Sequence, residues 1–228
     1  METSKSFWLP EQASSFAAMV DWAFNLYLWI SIFFFVLVLG LMVLFTVKYL
    51  RRRPDQMASG QMAHNTFLET SWTVIPLIIV MFLFFIGMRG WWHMRVAPSN
   101  AVTIDVIGLK WSWSFNYPQG FSNDTLVVPV NQPIRLRVTS TDVIHGLYVP
   151  AFRTKVDVVP GRYQSLWFEA TKTGVFPVLC TQYCGTSHSA MVAKVYVHDA
   201  AGFQRWLDEA SKWEGRITPV QRGAQLYE

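Results

Sequence analysis

Two cysteines, a histidine and a methionine fall within the stretch Cys180-Thr181-Gln182-Tyr183-Cys184-Gly185-Thr186-Ser187-His188-Ser189-Ala190-Met191, and the 228-residue chain has no other cysteine. Thiolate, imidazole and thioether form a soft ligand set, which suits copper far better than magnesium or calcium. One cysteine, one histidine and one methionine would suggest a mononuclear blue-copper site. The second cysteine points to two metals bridged by two sulfurs. Such a centre needs a second imidazole from elsewhere in the chain, and His145 in Val143-Ile144-His145-Gly146 is placed to supply it. The competing reading is a disulfide between Cys180 and Cys184 that staples a loop. His188 and Met191 at short spacing after a strand-like run favour metal.

The rest of the chain must hold these residues in place. The sequence is 52% hydrophobic and only 15% charged, so membrane segments are sought first. From Trp22 to Val47 no residue is charged. As a helix that run extends roughly 39 Å, ample for a hydrocarbon core of roughly 30 Å. A second run, Thr70 to Met88, extends roughly 28 Å and carries Pro76 near its start, where a kink is the main cost. Residues 1–15 contain no apolar core, so a cleaved signal peptide fits poorly and the first span itself directs insertion. The loop between the spans carries Lys48, Arg51, Arg52 and Arg53 against Asp55. The positive-inside rule places it in the cytoplasm, with both termini and the metal motif outside.

Beyond Arg89 the pattern changes to short β-type runs. Val102–Ile107 alternates, and Leu126–Val128, Ile134–Val138, Ser165–Phe168 and Val192–Val197 follow, separated by Gly, Pro and Asn. Strands of this length predict a β-sandwich or barrel of about a hundred residues. Ala201 to Trp213 reads as an amphipathic helix with Phe203, Trp206 and Leu207 on one face. His145 and the Cys180–Met191 loop would then meet at one end of a rigid sandwich. A loop braced by a rigid scaffold fixes ligand geometry in advance, which favours electron transfer.

The chain resembles subunit II of the haem-copper cytochrome c oxidases. A histidine upstream followed by Cys-x3-Cys-x3-His-x2-Met is that family's copper pattern, and the likeness runs from the first hydrophobic span through His198. The resemblance implies a membrane-anchored α + β protein with three parts. Residues 1–95 would form an N-terminal tail and a two-helix transmembrane hairpin (spans about 22–47 and 70–88). Residues 96–199 would form an all-β cupredoxin domain, a Greek-key barrel, and residues 200–228 a short C-terminal helix and tail. The implied cofactor is the binuclear copper centre CuA. Cys180 and Cys184 would bridge the two coppers, with His145 and His188 as terminal ligands. Met191 and the backbone carbonyl of Gln182 would be the weak axial ligands. The implied activity is acceptance of electrons from a cytochrome c-type donor, free or tethered, and their delivery to the haem-copper catalytic subunit I. That subunit reduces O2 to water and pumps protons. The implied location is a bacterial inner membrane, with the copper domain on the outer side, and no nucleic-acid partner is expected. The alternatives are the equivalent subunit of a nitric oxide reductase and a structural subunit of a quinol oxidase that has lost its copper.

Other residues carry roles by the same resemblance. Trp111, which opens the aromatic run Trp111-Ser112-Trp113-Ser114-Phe115-Asn116-Tyr117, would be where electrons enter, while Trp113, Phe115 and Tyr117 read as alternating core residues. Glu69 would sit at the cytoplasmic mouth of a proton channel; the competing reading is a carboxylate at a helix N-terminus. Asp142 and Asp157 match positions near the catalytic subunit, or are ordinary surface charges. His64, His93 and His198 read as loop or interface histidines. Three departures stand out. Asn116 replaces the family's usual acidic residue. Val178 replaces a usual glycine before the first cysteine. Gln182 replaces a glutamate that also contacts a magnesium or manganese ion between subunits, and a neutral amide is a weaker ligand for a hard cation; that second site is therefore doubtful. Both cysteines belong to the copper motif, so no Cys-x-x-Cys-His is present and no covalent haem is expected. Arg222 to Glu228 resembles the opening of the cytochrome c domain fused to some members of the family. From Ala97 to Asp199 eight Lys and Arg stand against six Asp and Glu, a net of +2, which is poorly suited to a freely diffusing basic donor.

Overall fold

The computed structural model describes residues 8–57, 60 and 62–212, which divide into two compact units: residues 19–91, and residues 8–18 together with 92–212. The Trp213 end of the expected terminal helix and the Arg222–Glu228 segment lie outside the described residues.

The first unit holds most of α1 (Ala17–Lys48) and α2 (Thr66–Arg95), of 32 and 30 residues. They are roughly 48 and 45 Å long at 1.5 Å per residue, longer than either uncharged run because each continues past the apolar stretch. None of the apolar stretch is buried by protein. Phe35, Val38, Ile78 and Phe85 are each more than 60% exposed, where a soluble helix would cover them. Such surfaces are stable only in hydrocarbon, and these are two membrane spans. The helices meet where Gly87 leaves room for a tyrosine: the Tyr27 hydroxyl donates to the Leu83 carbonyl at 3.2 Å, and a Cβ at Gly87 would lie 3.3 Å from that hydroxyl. Asn65 caps α2, its side-chain oxygen accepting from the Leu68 N–H at 3.1 Å. α2 continues through Pro76, which has no N–H to offer the Trp72 carbonyl.

The second unit is a sandwich of two five-stranded sheets. One contains β1 (Val102–Leu109), β2 (Ser112–Asn116), β3 (Ser122–Asn123), β5 (Pro133–Ser140) and β8 (Gln164–Glu169), ordered β3-β2-β1-β5-β8. The other contains β4 (Leu126–Pro129), β6 (His145–Val149), β7 (Thr154–Val158), β9 (Gly174–Cys180) and β10 (Val192–His198), ordered β4-β10-β9-β6-β7. Two parallel pairings, β1 with β5 and β4 with β10, break the run of antiparallel neighbours, as a cupredoxin-like barrel requires. Alternation puts Ile104, Val106, Phe115, Leu136, Val138 and Phe168 of the first sheet inside, against Leu147, Val149, Phe176, Val178, Val195 and Val197 of the second. Trp113, Phe115 and Tyr117 are core residues, as their spacing predicts.

α3 (Ala200–Lys212) closes one side, its N-terminus capped by Asp199, whose carboxylate accepts from the Gly202 N–H at 2.7 Å. Trp206 packs 5.1 Å from Tyr117 and 5.6 Å from Phe121, ring centre to ring centre. Residues 9–18 belong to the same unit. Ala13 donates to Ala151 O and accepts from Thr171 N, Ser15 donates to Glu169 O, and the Ser14 hydroxyl reaches Phe152 O at 2.8 Å. Phe16 is fully buried, edge-on to Trp167 and His93 at 4.5 and 5.4 Å. The residues before the first span and those after the second therefore share one folded body.

Candidate metal centre

Four strand connections gather at one end of the sandwich. β1 and β5 run towards that end in parallel, and β2, β6, β8 and β10 begin there. His145 opens β6, and Cys180 closes β9, directly opposite Leu147 in the ladder. The intervening chain folds back on itself: Cys180 N–H reaches Met191 O at 3.3 Å, and Thr181 N–H reaches Gly146 O at 2.9 Å. A short helical turn at His188–Ala190 then aims the last two side chains inward, with Met191 fully buried.

The result is one cluster. The ligand atoms of His145, Cys180 and Cys184 all lie within 4.8 Å of one another. The two Sγ atoms are 3.9 Å apart, far beyond the roughly 2.05 Å of a disulfide, and both cysteines are free. Cys184 Sγ lies 3.4 Å from His188 Nδ1 and 3.8 Å from Met191 Sδ, and Cys180 Sγ lies 3.3 Å from the Gln182 carbonyl oxygen. Two thiols, two imidazoles, a thioether and a carbonyl thus converge. His145 adds a sharper sign. Its ring is fully buried, yet its Nδ1 has no hydrogen-bond partner. A buried polar atom left unpaired costs about 1–3 kcal/mol, and a metal ion is one partner that would remove the cost. The donor set fits a soft metal.

The other ring nitrogen is held. His145 Nε2 lies 2.8 Å from Asp142 Oδ1, and Asp142 also accepts from the Lys110 N–H at 2.7 Å and the Val143 N–H at 2.6 Å. Burial pushes the Asp142 carboxyl upward, but the bonds from His145, Val143 and Lys110 outweigh it and hold the group at about 2. A carboxylate on the far side of a histidine fixes the ring's tautomer and orientation. Burial, then the Cys180 thiol and the Asp142 charge, push the Cys184 thiol up to about 11, against an opposing pull from Lys110. Glycine makes the crowding possible. A Cβ at Gly108 would lie 3.1 Å from the His145 ring, and one at Gly146 would collide with Thr181 and sit 3.2 Å from the Gln182 nitrogen.

Trp111 lies on the ligand loop. Its indole N–H donates to the Cys184 carbonyl at 3.3 Å, its ring covers Gly185, and it is 38% exposed. Glu69 is in the membrane unit, where its Oε1 accepts from the Asn65 N–H at 2.9 Å and completes the cap of α2. Asp157 pairs with Lys155 at 3.6 Å. Asn116 accepts from the hydroxyls of Ser114 and Ser122. His93 packs on Phe16 and Trp167, and His198 stacks on Tyr196. The contact that residue types alone did not bring out is Asp142 on His145; the Asp-x-x-His spacing was its only trace.

Fold and site define a membrane-anchored cupredoxin with a thiolate–imidazole metal pocket, and comparison with known proteins narrows the class. The family model "Cytochrome C oxidase subunit II, transmembrane domain" matches residues 2–89, and "Cytochrome C oxidase subunit II, periplasmic domain" matches residues 121–197. Cytochrome c oxidase subunit 2 of Thermostichus vulcanus is 31% identical, covering 88% of this chain and 80% of its own length. The Cereibacter sphaeroides protein is 29% identical over 87% of this chain and 78% of its own. A crystal structure of the periplasmic domain of subunit II from Bradyrhizobium japonicum is 36% identical, covering 51% of this chain and 98% of that one, with a TM-score of 0.49. The chain belongs to the cytochrome c oxidase subunit II family, and is thus a two-span subunit of an oxidoreductase complex.

Proposed function

We propose that His145, Cys180, Cys184, His188, Met191 and the backbone carbonyl of Gln182 hold a binuclear copper centre of the CuA type. When bound, that centre supplies one-electron transfer from a cytochrome c-type donor to the haem-copper catalytic subunit, which reduces O2 to water with proton pumping. The observation that carries this reading is the buried His145 ring, whose Nδ1 is unpaired and which brings a ring nitrogen within 4.8 Å of two free thiols. The chain's own residues do the positioning. Asp142 orients the His145 ring, and the hydrogen bonds from Cys180 to Met191 and from Thr181 to Gly146 brace the ligand loop before any metal arrives. Burial of Cys184 and Met191 keeps water from the sulfurs. A pocket so braced need rearrange little when the charge within it changes. Trp111 offers an exposed ring edge whose indole N–H is bonded directly to the Cys184 backbone, a short hydrogen-bonded route from solvent to a thiol.

In the same reading, Glu69 collects protons on the cytoplasmic side, where the basic loop after α1 would lie, and the copper domain faces outward. The test is stopped-flow reduction of the whole oxidase by a c-type donor. Absorbance of the copper centre should change before that of the haems. Haem reduction at an undiminished rate in a chain lacking both cysteines would refute the assignment.

A further inference from the structure

The copper end of the sandwich is the face a donor must approach, and its charge is unusual. The connections that meet there are residues 110–111, 141–144, 159–163 and 181–191. They hold three charged side chains: Lys110, Asp142 and Arg162. Lys110 and Arg162 are exposed. Asp142 is exposed too, but both its oxygens are engaged, by His145, Lys110 N–H and Val143 N–H. Asp157, one residue in from the end of β7, is matched by Lys155 at 3.6 Å. The ligand loop itself, Thr181 to Met191, carries no charged side chain. What it does present is apolar: Trp111 over Gly185, Tyr183 packed edge-on to His188 at 5.8 Å and 75% exposed, and Ile144 beside His145, 44% exposed.

Two exposed aromatic rings resting on the Cys180–Met191 loop, with two exposed cations against one carboxylate already engaged in hydrogen bonds, form a contact surface of net positive charge. Apolar contact supplies affinity in such an encounter, while the charges at the rim choose the partner and set the association rate. A donor ringed with lysines would meet Lys110 and Arg162 with only the engaged Asp142 to offset them. A donor ringed with carboxylates would be drawn in.

We propose that the face formed by Trp111, Tyr183 and Ile144, with Lys110 and Arg162 at its rim, receives a one-electron carrier protein whose own contact face is apolar and edged with carboxylates. The inference rests on the copper reading for its purpose, but its geometry stands on the surface alone. Lys110 is the residue to change, because its backbone N–H, and not its side chain, holds Asp142. The intact oxidase is mixed with two c-type cytochromes of similar potential, one lysine-rimmed and one carboxylate-rimmed, across a range of ionic strengths. Stopped-flow reduction gives the rates, and redox-inactive zinc-porphyrin forms of the same two donors give dissociation constants. The carboxylate-rimmed donor should bind more tightly, and both its rate and its affinity should fall as salt rises. The lysine-rimmed donor should be slow, with a rate that is flat or rises with salt. Lys110→Glu should weaken the acidic donor about tenfold at low salt and favour the basic one, with copper content retained. Tight binding of the lysine-rimmed donor that weakens steeply with salt would overturn the proposal, as would a Lys110→Glu variant that alters neither donor. Copper content of the same sample is read separately. A missing binuclear signal would sink the copper reading, while the dissociation constants and their salt dependence decide the docking face in either case.

Discussion

Cys184 touches every sulfur and imidazole of its own loop: Cys180 at 3.9 Å, His188 at 3.4 Å and Met191 at 3.8 Å. A serine there, or at Cys180, offers a hydroxyl that does not ionise at neutral pH and cannot bridge metals. Cys180→Ser and Cys184→Ser should therefore each lose the two-copper signal, read by metal analysis and EPR. Met191→Leu should keep both coppers and shift the midpoint potential, because a thioether is a weak axial ligand. The Cys184 thiol near 11 gives a further expectation. It is protonated at neutral pH, and a metal binds the thiolate, so loading must release that proton. Copper affinity should rise with pH, by about tenfold per unit for this one group, in competition titrations against a chelator. A pH-independent affinity would mean that Cys184 is not a ligand. Most of the cluster was legible in the sequence because Cys180 to Met191 is one tight loop, whose spacing survives any arrangement of the rest. The Asp142–His145 bond was not, since a lone Asp-x-x-His outside a helix says little about where either ring or carboxylate points.

At the scale of elements, the helices and strands divide in the same way. Long uncharged runs and alternating segments such as Val102–Ile107 announce themselves by period, and they appear as α1, α2 and β1. β6 and β7 are short and separated by Pro150, while β9 contains Pro177, which usually argues against an interior strand. It is tolerated because β6 pairs with β9 only at Leu179 and Cys180, leaving Pro177 with β10 alone as a neighbour. The segment 9–18 shows no period, because it packs by backbone bonds and a single ring. Phe16→Ala empties a fully buried site between Trp167 and His93. It should lower the stability of the sandwich unit by about 3 kcal/mol, seen as a fall in its unfolding midpoint by circular dichroism. An unchanged midpoint would mean the segment merely rests on the sheet. Glu69 also belongs at this scale. Glu69→Gln keeps an oxygen for the Asn65 N–H and so preserves the cap, but removes the carboxyl group. Slower oxygen consumption with unaltered copper spectra would mark a proton path; normal turnover would leave Glu69 as a cap.

The whole molecule places a braced, soft-ligand pocket at the end of a sandwich and ties that sandwich to two membrane spans. Residues on both sides of the hairpin fold into the same sandwich unit, so the chain joins that unit to the spans at two points, one from each span. Membership of the oxidase subunit II family supplies the setting, and the converging side chains form a candidate metal site within it. On the reading proposed above, this pocket binds two coppers as one electronic unit. The most direct measurement is copper stoichiometry together with EPR and near-infrared spectra of the purified oxidized protein. Two coppers per chain in this centre, sharing a single unpaired electron across both nuclei, is the expected result. A single copper, a zinc ion, or a Cys180–Cys184 disulfide in place of the metal would contradict it.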